Sequence, residues 1–177
     1  MVMGRQTPRP GDSGFTRNAA GQRISKATLQ VEAYGTVDEL SAYIGVARQY
    51  VGTTAAAELY WLQEQLLSAA ACMAGLTLDD AALLELQQAV SQLEEWTASY
   101  KRQLPPLRAF VIPGSNKANA HVHAARAVAR RAERLAVRCH EDGLQQASVA
   151  VPFLNRVSDY LFAVARIHER KDHLDRS

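Results

Sequence analysis

From Val31 onward apolar residues return every three to four positions, the period of an amphipathic helix, and no segment alternates convincingly as a strand would. The pattern predicts helices at about 30–50, 54–76, 79–102, 117–142 and 150–170. Punctuation supports these ends. Asp79 is placed to cap the third helix, Asp142–Gly143 to stop the fourth, and Pro152 to occupy the first turn of the fifth. Pro105, Pro106, Pro113 and Gly114 mark the connection between the third and fourth. Residues 1–28 read differently: Gly4, Pro8, Pro10, Gly11, Gly14 and Gly21 interrupt a stretch with almost no apolar periodicity. The expected fold class is all-α: a single five-helix up-and-down bundle over 29–177, with 1–28 as a flexible N-terminal loop segment.

Three helix faces carry candidate chemistry. In the fourth helix Arg126, Arg130 and Glu133 fall within roughly 60° of arc at 100° per residue, with Asn119 and His123 on or beside the same strip. Two guanidiniums and a carboxylate side by side suit a polyphosphate, because Arg offers a fixed fork of donors and stays charged. The alternative is a solvated face, since Arg131, Arg134 and Arg138 continue the polar sector. In the first helix Val37, Leu40, Tyr43, Ile44 and Ala47 form the apolar stripe. Off that stripe Gly35, Asp38, Ala42 and Gly45 make a strip of small residues around one carboxylate. That strip suits close approach by another helix or subunit, with Asp38 then needing a cationic partner, or else Asp38 is simply exposed. In the fifth helix Asn155 and Asp159 lie one turn apart with Phe162 on the same side, above a core stripe of Leu154, Val157, Leu161 and Val164. The pair suits either a ribose or metal-bound phosphate, or an ordinary surface hydrogen bond.

Composition excludes several classes. The 177 residues are 47% hydrophobic and 21% charged, as in an ordinary globular domain with a sizeable core. A net charge of +2 makes no case for nucleic acid, and no apolar run approaches the ~20 residues of a membrane span. Cys72 and Cys139 stand apart in apolar helical settings, so they read as buried reduced thiols. The first ten residues lack a signal-peptide core, and the expected compartment is the cytoplasm. In the head, Gly11 to Thr16 could offer backbone N–H groups and a hydroxyl to phosphate oxygens, with Arg17, Arg23 and Lys26 adding charge. It is not a Walker loop, and a disordered terminus is the alternative.

Separated blocks give these features one context. Gly11-Asp-Ser-Gly-Phe-Thr16, Ile24-Ser-Lys26, Val31-Glu-Ala-Tyr-Gly-Thr-Val-Asp-Glu-Leu40, Phe110-Val-Ile-Pro-Gly114, His123 through Arg134, and Asn155-Arg-Val-Ser-Asp-Tyr-Leu-Phe-Ala-Val-Ala-Arg166 follow in order over nearly the whole chain. Together they resemble the PduO-type ATP:corrinoid adenosyltransferases. The resemblance implies a ferritin-like, cobalamin adenosyltransferase-like bundle, assembled as a homotrimer with sites between subunits. It implies transfer of the 5′-deoxyadenosyl group of ATP to the cobalt of cob(I)alamin, giving adenosylcobalamin and triphosphate.

Carried over by motif, the resemblance assigns ATP binding to Gly11, Asp12, Gly14, Thr16 and Lys26 of the head, and to Arg130, Glu133 and Asn155 of the helices. Arg130 and Phe110 take the catalytic roles, Phe110 as the aromatic wall beneath the corrin. Asp38 and Arg126 become an ion pair across the subunit boundary. Mg²⁺ is carried mainly by the ATP phosphates, with its protein ligands unassigned. A monovalent cation, a reductase and an adenosylcobalamin-dependent enzyme are the further partners the resemblance raises. Departures concentrate in the loops: Pro10 stands where the family has Thr, Ala20–Gly21 replaces Gly-Gly, and Pro113-Gly-Ser-Asn116 replaces Pro-Gly-Gly-Ser/Thr. They bear mainly on ATP affinity. A corrinoid carrier with little ATP turnover is the alternative reading, and a helical interaction module without small ligands a third.

Overall fold

The computed structural model describes residues 9, 11–107 and 109–174. Pro10 therefore lies outside the described residues, and so does its effect on the head. Five helices follow a small hairpin: α1 (Leu29–Ala47), α2 (Thr53–Met73), α3 (Asp80–Arg102), α4 (Lys117–Glu141) and α5 (Ala147–Leu174). α4 and α5 form the central pair; α1 packs on α4, α3 on α5, and α2 on both α1 and α5. Consecutive α2 and α3 touch little, so α5 bridges them.

Local signals explain the ends. Thr28 caps α1 by accepting from Val31 N–H, Asp79 caps α3 from Ala82 N–H at 2.8 Å, and Asn116 caps α4 from Asn119 N–H at 2.8 Å. α4 stops at Asp142–Gly143, as expected. α5 starts earlier than the apolar pattern indicates. A tight turn over 144–149, with Ala147, Ser148 and Val149 N–H each bonding three residues back, leads into it. Pro152 consequently sits inside α5 rather than in its first turn.

The loop-like reading of the head also needs correction. Phe15–Arg17 (β1) and Arg23–Ser25 (β2) pair antiparallel, with Thr16 opposite Ile24. Strands of three residues are too short to show a period in the sequence. The head is further tied by Lys26 N–H to the Gly14 carbonyl at 2.9 Å, and by Lys26 Nζ to the Gly11 carbonyl at 2.8 Å.

The core fills the space between the helix stripes. Leu40 and Ile44 of α1, Leu62 and Leu66 of α2, Leu93 of α3, and Phe153, Leu154, Val157 and Leu161 of α5 are fully buried. Each such side chain contributes about 1.5–3 kcal/mol of burial, so these stripes dominate the stability. On α1 the buried face is shifted from expectation: Ala33 and Thr36 join it, while Tyr43 is 39% exposed. Cys72 and Cys139 are free and buried, and burial raises both thiols above their ordinary range, which keeps them protonated. One polar staple crosses the core. Glu58 of α2 accepts from Tyr100 of α3 and from Tyr160 of α5, both at 2.7 Å. Burial, aided by the Glu58 carboxylate, pushes both phenols upward, so both remain donors.

Candidate active site

α4 carries the strip that the helical period indicates, and the strip grades from buried to exposed. Asn119 and His123 are buried, Arg126 and Glu133 half-buried, and Arg130 exposed. This grading follows from α4 lying between α1 and α5, which cover one side of the strip and leave the other open.

The buried end is organised around Arg126. Its Nε donates to His123 Nδ1 at 3.3 Å, and its guanidinium carbon lies 5.6 Å from the Phe162 ring centroid. The His123 ring meets Phe162 edge-on. Because Nδ1 accepts, the imidazole proton resides on Nε2, which has no hydrogen-bond partner among the described residues. Burial first, and then the adjacent Arg126 charge, hold His123 below its ordinary value, so the ring is neutral near pH 7. Burial and the neighbouring Arg130 lower Arg126 in turn, but a guanidinium stays charged. His123 thus fixes one edge of Arg126 and leaves its terminal amino groups available. That lock spans three residues on one helix face, a spacing visible in the sequence.

At the other end Asn155 Nδ2 donates to Glu133 Oε1 at 2.8 Å, joining α5 to α4. Asn155 Oδ1 accepts from Arg156 at 2.6 Å, and Arg156 pairs with Glu94 of α3 at 2.6 Å. Asn155 therefore bonds to Glu133 and Arg156 rather than to Asp159, which is exposed. Arg130 projects between these two anchored ends and has no hydrogen bond or ion pair among the described residues. Arg131, by contrast, pairs with Glu39 of α1 on the adjoining face.

The head forms a second cationic surface. Gly11, Phe15, Thr16, Arg17, Arg23 and Lys26 line a cleft of about 400 Å³. The Arg23 guanidinium lies 3.6 Å from the Phe15 ring centroid, so the ring supports the charge in the cleft wall. Asp12 is spent locally, accepting Arg9 N–H at 2.7 Å to close the first turn. Ala20–Gly21 keeps a glycine where the hairpin turn has φ +77°, so the change from Gly-Gly leaves the turn intact.

Phe110 lies in the loop between α3 and α4 and is fully exposed, with Ile112 83% exposed beside it. Gly114 has φ +107° in that loop, a conformation that keeps glycine there despite the changed Ser115 and Asn116. Asp38, with Gly35 and Ala42, lies on an exposed face of α1. Within one chain, no hydrogen bond or ion pair joins the head, Phe110 or Asp38 to the α4 strip among the described residues. No helix of the described residues is long and apolar enough to cross a membrane.

The chain is thus an all-α bundle bearing an arginine strip, a cationic glycine-rich head and an exposed aromatic ring on an anchored loop. The model of the family described as cobalamin adenosyltransferase matches residues 6–168. The corrinoid adenosyltransferase MMAB of Bos taurus is 40% identical over 171 residues, covering 92% of this chain and 70% of that protein. The corrinoid adenosyltransferase of Citrobacter freundii is 39% identical over 169 residues, covering 91% and 93%. A solved structure of a variant PduO-type ATP:corrinoid adenosyltransferase from Lactobacillus reuteri, complexed with cobalamin and ATP, is 30% identical. It superposes with a TM-score of 0.82 over 93% of each chain. The chain belongs to the cobalamin adenosyltransferase family, and its activity is the ATP-dependent adenosylation of a corrinoid.

Proposed function

We propose that the reaction runs at a seam between subunits of a homotrimer, where the α4 strip and the head of this chain hold the triphosphate of ATP and Phe110 faces the corrin. The observation that carries this reading is the state of Arg130: an exposed guanidinium with no partner among the described residues, between anchored Arg126 and the Glu133–Asn155 pair. A family of this activity must stabilise charge on a departing triphosphate, and Arg130 is a cation of the strip left uncommitted among the described residues.

The chemistry asks little else of the protein. Cob(I)alamin is itself the nucleophile: its cobalt electron pair attacks C5′ of ATP, the C5′–O bond breaks, and triphosphate leaves with that bonding pair. Cobalt becomes formally Co(III) in the product. The chain needs no catalytic Ser, Cys or general base, and contributes orientation and electrostatics. Arg130 and Lys26 neutralise the leaving group; Gly11, Asp12, Gly14 and Thr16 shape the head around the phosphates; Glu133 and Asn155 hold the nucleotide end of the strip. Among the described residues no group of three or more His, Cys, Asp or Glu could hold a metal ion. Mg²⁺ enters on the ATP phosphates, with Glu133 as the strip's carboxylate. Phe110 acts one step earlier. An apolar ring filling the lower face of cobalt excludes water or a base, which eases reduction of cob(II)alamin to cob(I)alamin.

Asp38 completes the seam. It is exposed on a strip of small residues, and the terminal amino groups of Arg126 make no hydrogen bond among the described residues. Each therefore offers the partner subunit an opposite charge. The direct test supplies chemically reduced cobalamin, ATP and Mg²⁺ and follows formation of the Co–C bond. Tight corrinoid binding with no Co–C product would leave a carrier rather than an enzyme.

A further inference from the structure

Nothing that the Phe110 ring touches in this chain determines where it stands, because the ring is fully exposed. Its position is inherited from the anchors of its loop. At the start of the loop, Arg166 Nη2 donates to the Pro105 carbonyl at 3.0 Å. At the far end two asparagines form a clasp. Gly114 N–H donates to Asn119 Oδ1 at 2.7 Å, and Asn119 Nδ2 donates to the Ala165 carbonyl at 3.1 Å. Asn116 Oδ1 accepts from Asn119 N–H at 2.8 Å, while Asn116 Nδ2 donates to the His168 carbonyl at 3.1 Å. All of these anchors converge on one stretch of α5, from Ala165 to His168.

Asn119 is the centre of the clasp. It is 0% exposed, and both ends of its amide are used, one on the loop and one on α5. An apolar residue would fill this site on the α4 face without hydrogen-bond demands. A buried amide is instead costly unless paired, so its presence needs a geometric reason. The left-handed Gly114 turns its N–H inward to meet that amide.

We infer that Asn119 is the positioning residue for Phe110: it pins the loop to α5 so that the ring lies against the lower face of the corrin. This rests on the reading of Phe110 as the wall beneath cobalt. Displacing the ring by roughly the radius of a water molecule admits a ligand to cobalt, and a 1 Å misplacement is enough to cost a large factor in rate. The effect belongs to the reduction step. Transfer from cobalt that is already Co(I) is insensitive to it, since Co(I) does not need the lower face kept clear.

The test uses full-length Asn119→Ala beside Phe110→Ala and the parent protein. Three quantities are read: adenosylation from pre-reduced cob(I)alamin, adenosylation from cob(II)alamin with a reduced flavin as electron donor, and the fraction of bound cob(II)alamin lacking a lower ligand. That fraction comes from the electron paramagnetic resonance spectrum, which reports axial ligation. Asn119→Ala is expected to stay within about twofold of the parent from cob(I)alamin, and to fall about tenfold from cob(II)alamin. Its lower-ligand-free fraction falls in step, while the KM for ATP is unchanged. If Asn119→Ala keeps the parental fraction while Phe110→Ala abolishes it, the clasp is overturned and the Phe110 reading stands. If Phe110→Ala also keeps the parental fraction, both are overturned. Should Asn119→Ala fail to assemble, half-buried Asn116→Ala removes the His168 bond and the cap on Asn119. It carries the same expectation.

Discussion

Replacing Arg130 with Ala separates a working site from a decorated helix face. The guanidinium is exposed in the single chain and has no partner among the described residues, so its removal breaks no bond of the fold. Opposite charges about 4 Å apart interact by about 4 kcal/mol at an effective dielectric near 20, and by about 1 kcal/mol in open water. The two environments predict different outcomes. If ATP, corrin and a partner subunit exclude water around Arg130, turnover falls by about 10²–10³, the usual cost of deleting a charge-stabilising donor. If the strip faces bulk water throughout, the loss is only about fivefold. The assay is single turnover from pre-reduced cob(I)alamin at saturating ATP and Mg²⁺, with Co–C formation followed by absorbance. Light scattering checks assembly. Arg130→Lys should fall between, since it keeps the charge but loses the two-pronged fork. A loss below about fivefold in Arg130→Ala would remove this residue from the site and refute the argument.

Further outcomes follow from other contacts. Asn155→Ala leaves Glu133 without its 2.8 Å donor, and should raise the KM for ATP more than it lowers the melting temperature; titration calorimetry with ATP checks this. His123 is depressed below its ordinary 6.5, by burial first and Arg126 second. Above that value its folded and unfolded forms are both neutral; as pH falls below it, the unfolded chain takes up a proton that the folded chain refuses. Stability should therefore decline with acidification from about pH 6.5, and His123→Gln should flatten that slope in denaturant melts. An unchanged slope would show that His123 titrates normally. Tyr160→Phe removes one of the two donors to Glu58 in the core and should cost about 1–3 kcal/mol, or several degrees in Tm by calorimetry.

The bundle was legible because its evidence is local and repeated. α3 and α4 begin and end within a residue or so of their apolar periods, since Asp79, the prolines around 105–113, and Gly143 act on adjacent backbone. The start of α5 is hidden in the sequence because Pro152 resembles a first-turn proline, whereas the preceding tight turn extends the helix to Ala147. The hairpin leaves no sign in the sequence because three paired residues per strand, among glycines and charges, make no period. In the site, the Arg126–Arg130–Glu133 strip needed only helical geometry. Its bond partners varied in visibility. His123 lies three residues from Arg126, but Glu133 meets Asn155 across two helices, and Asn119 reaches a carbonyl on α5. A single asparagine gives no sign of a distant backbone partner, which is why the clasp emerged only from the folded chain.

The central claim, a seam built by two subunits, is tested most directly by mixing two inactive variants. Asp38→Asn and Arg126→Ala should each be impaired as pure assemblies. In trimers reassembled from equal amounts of both, about a quarter of the seams join an intact Asp38 to an intact Arg126 across the boundary. The account predicts that Co–C formation recovers to about that fraction of the parent. Mixed trimers no more active than the average of the two pure variants would contradict it.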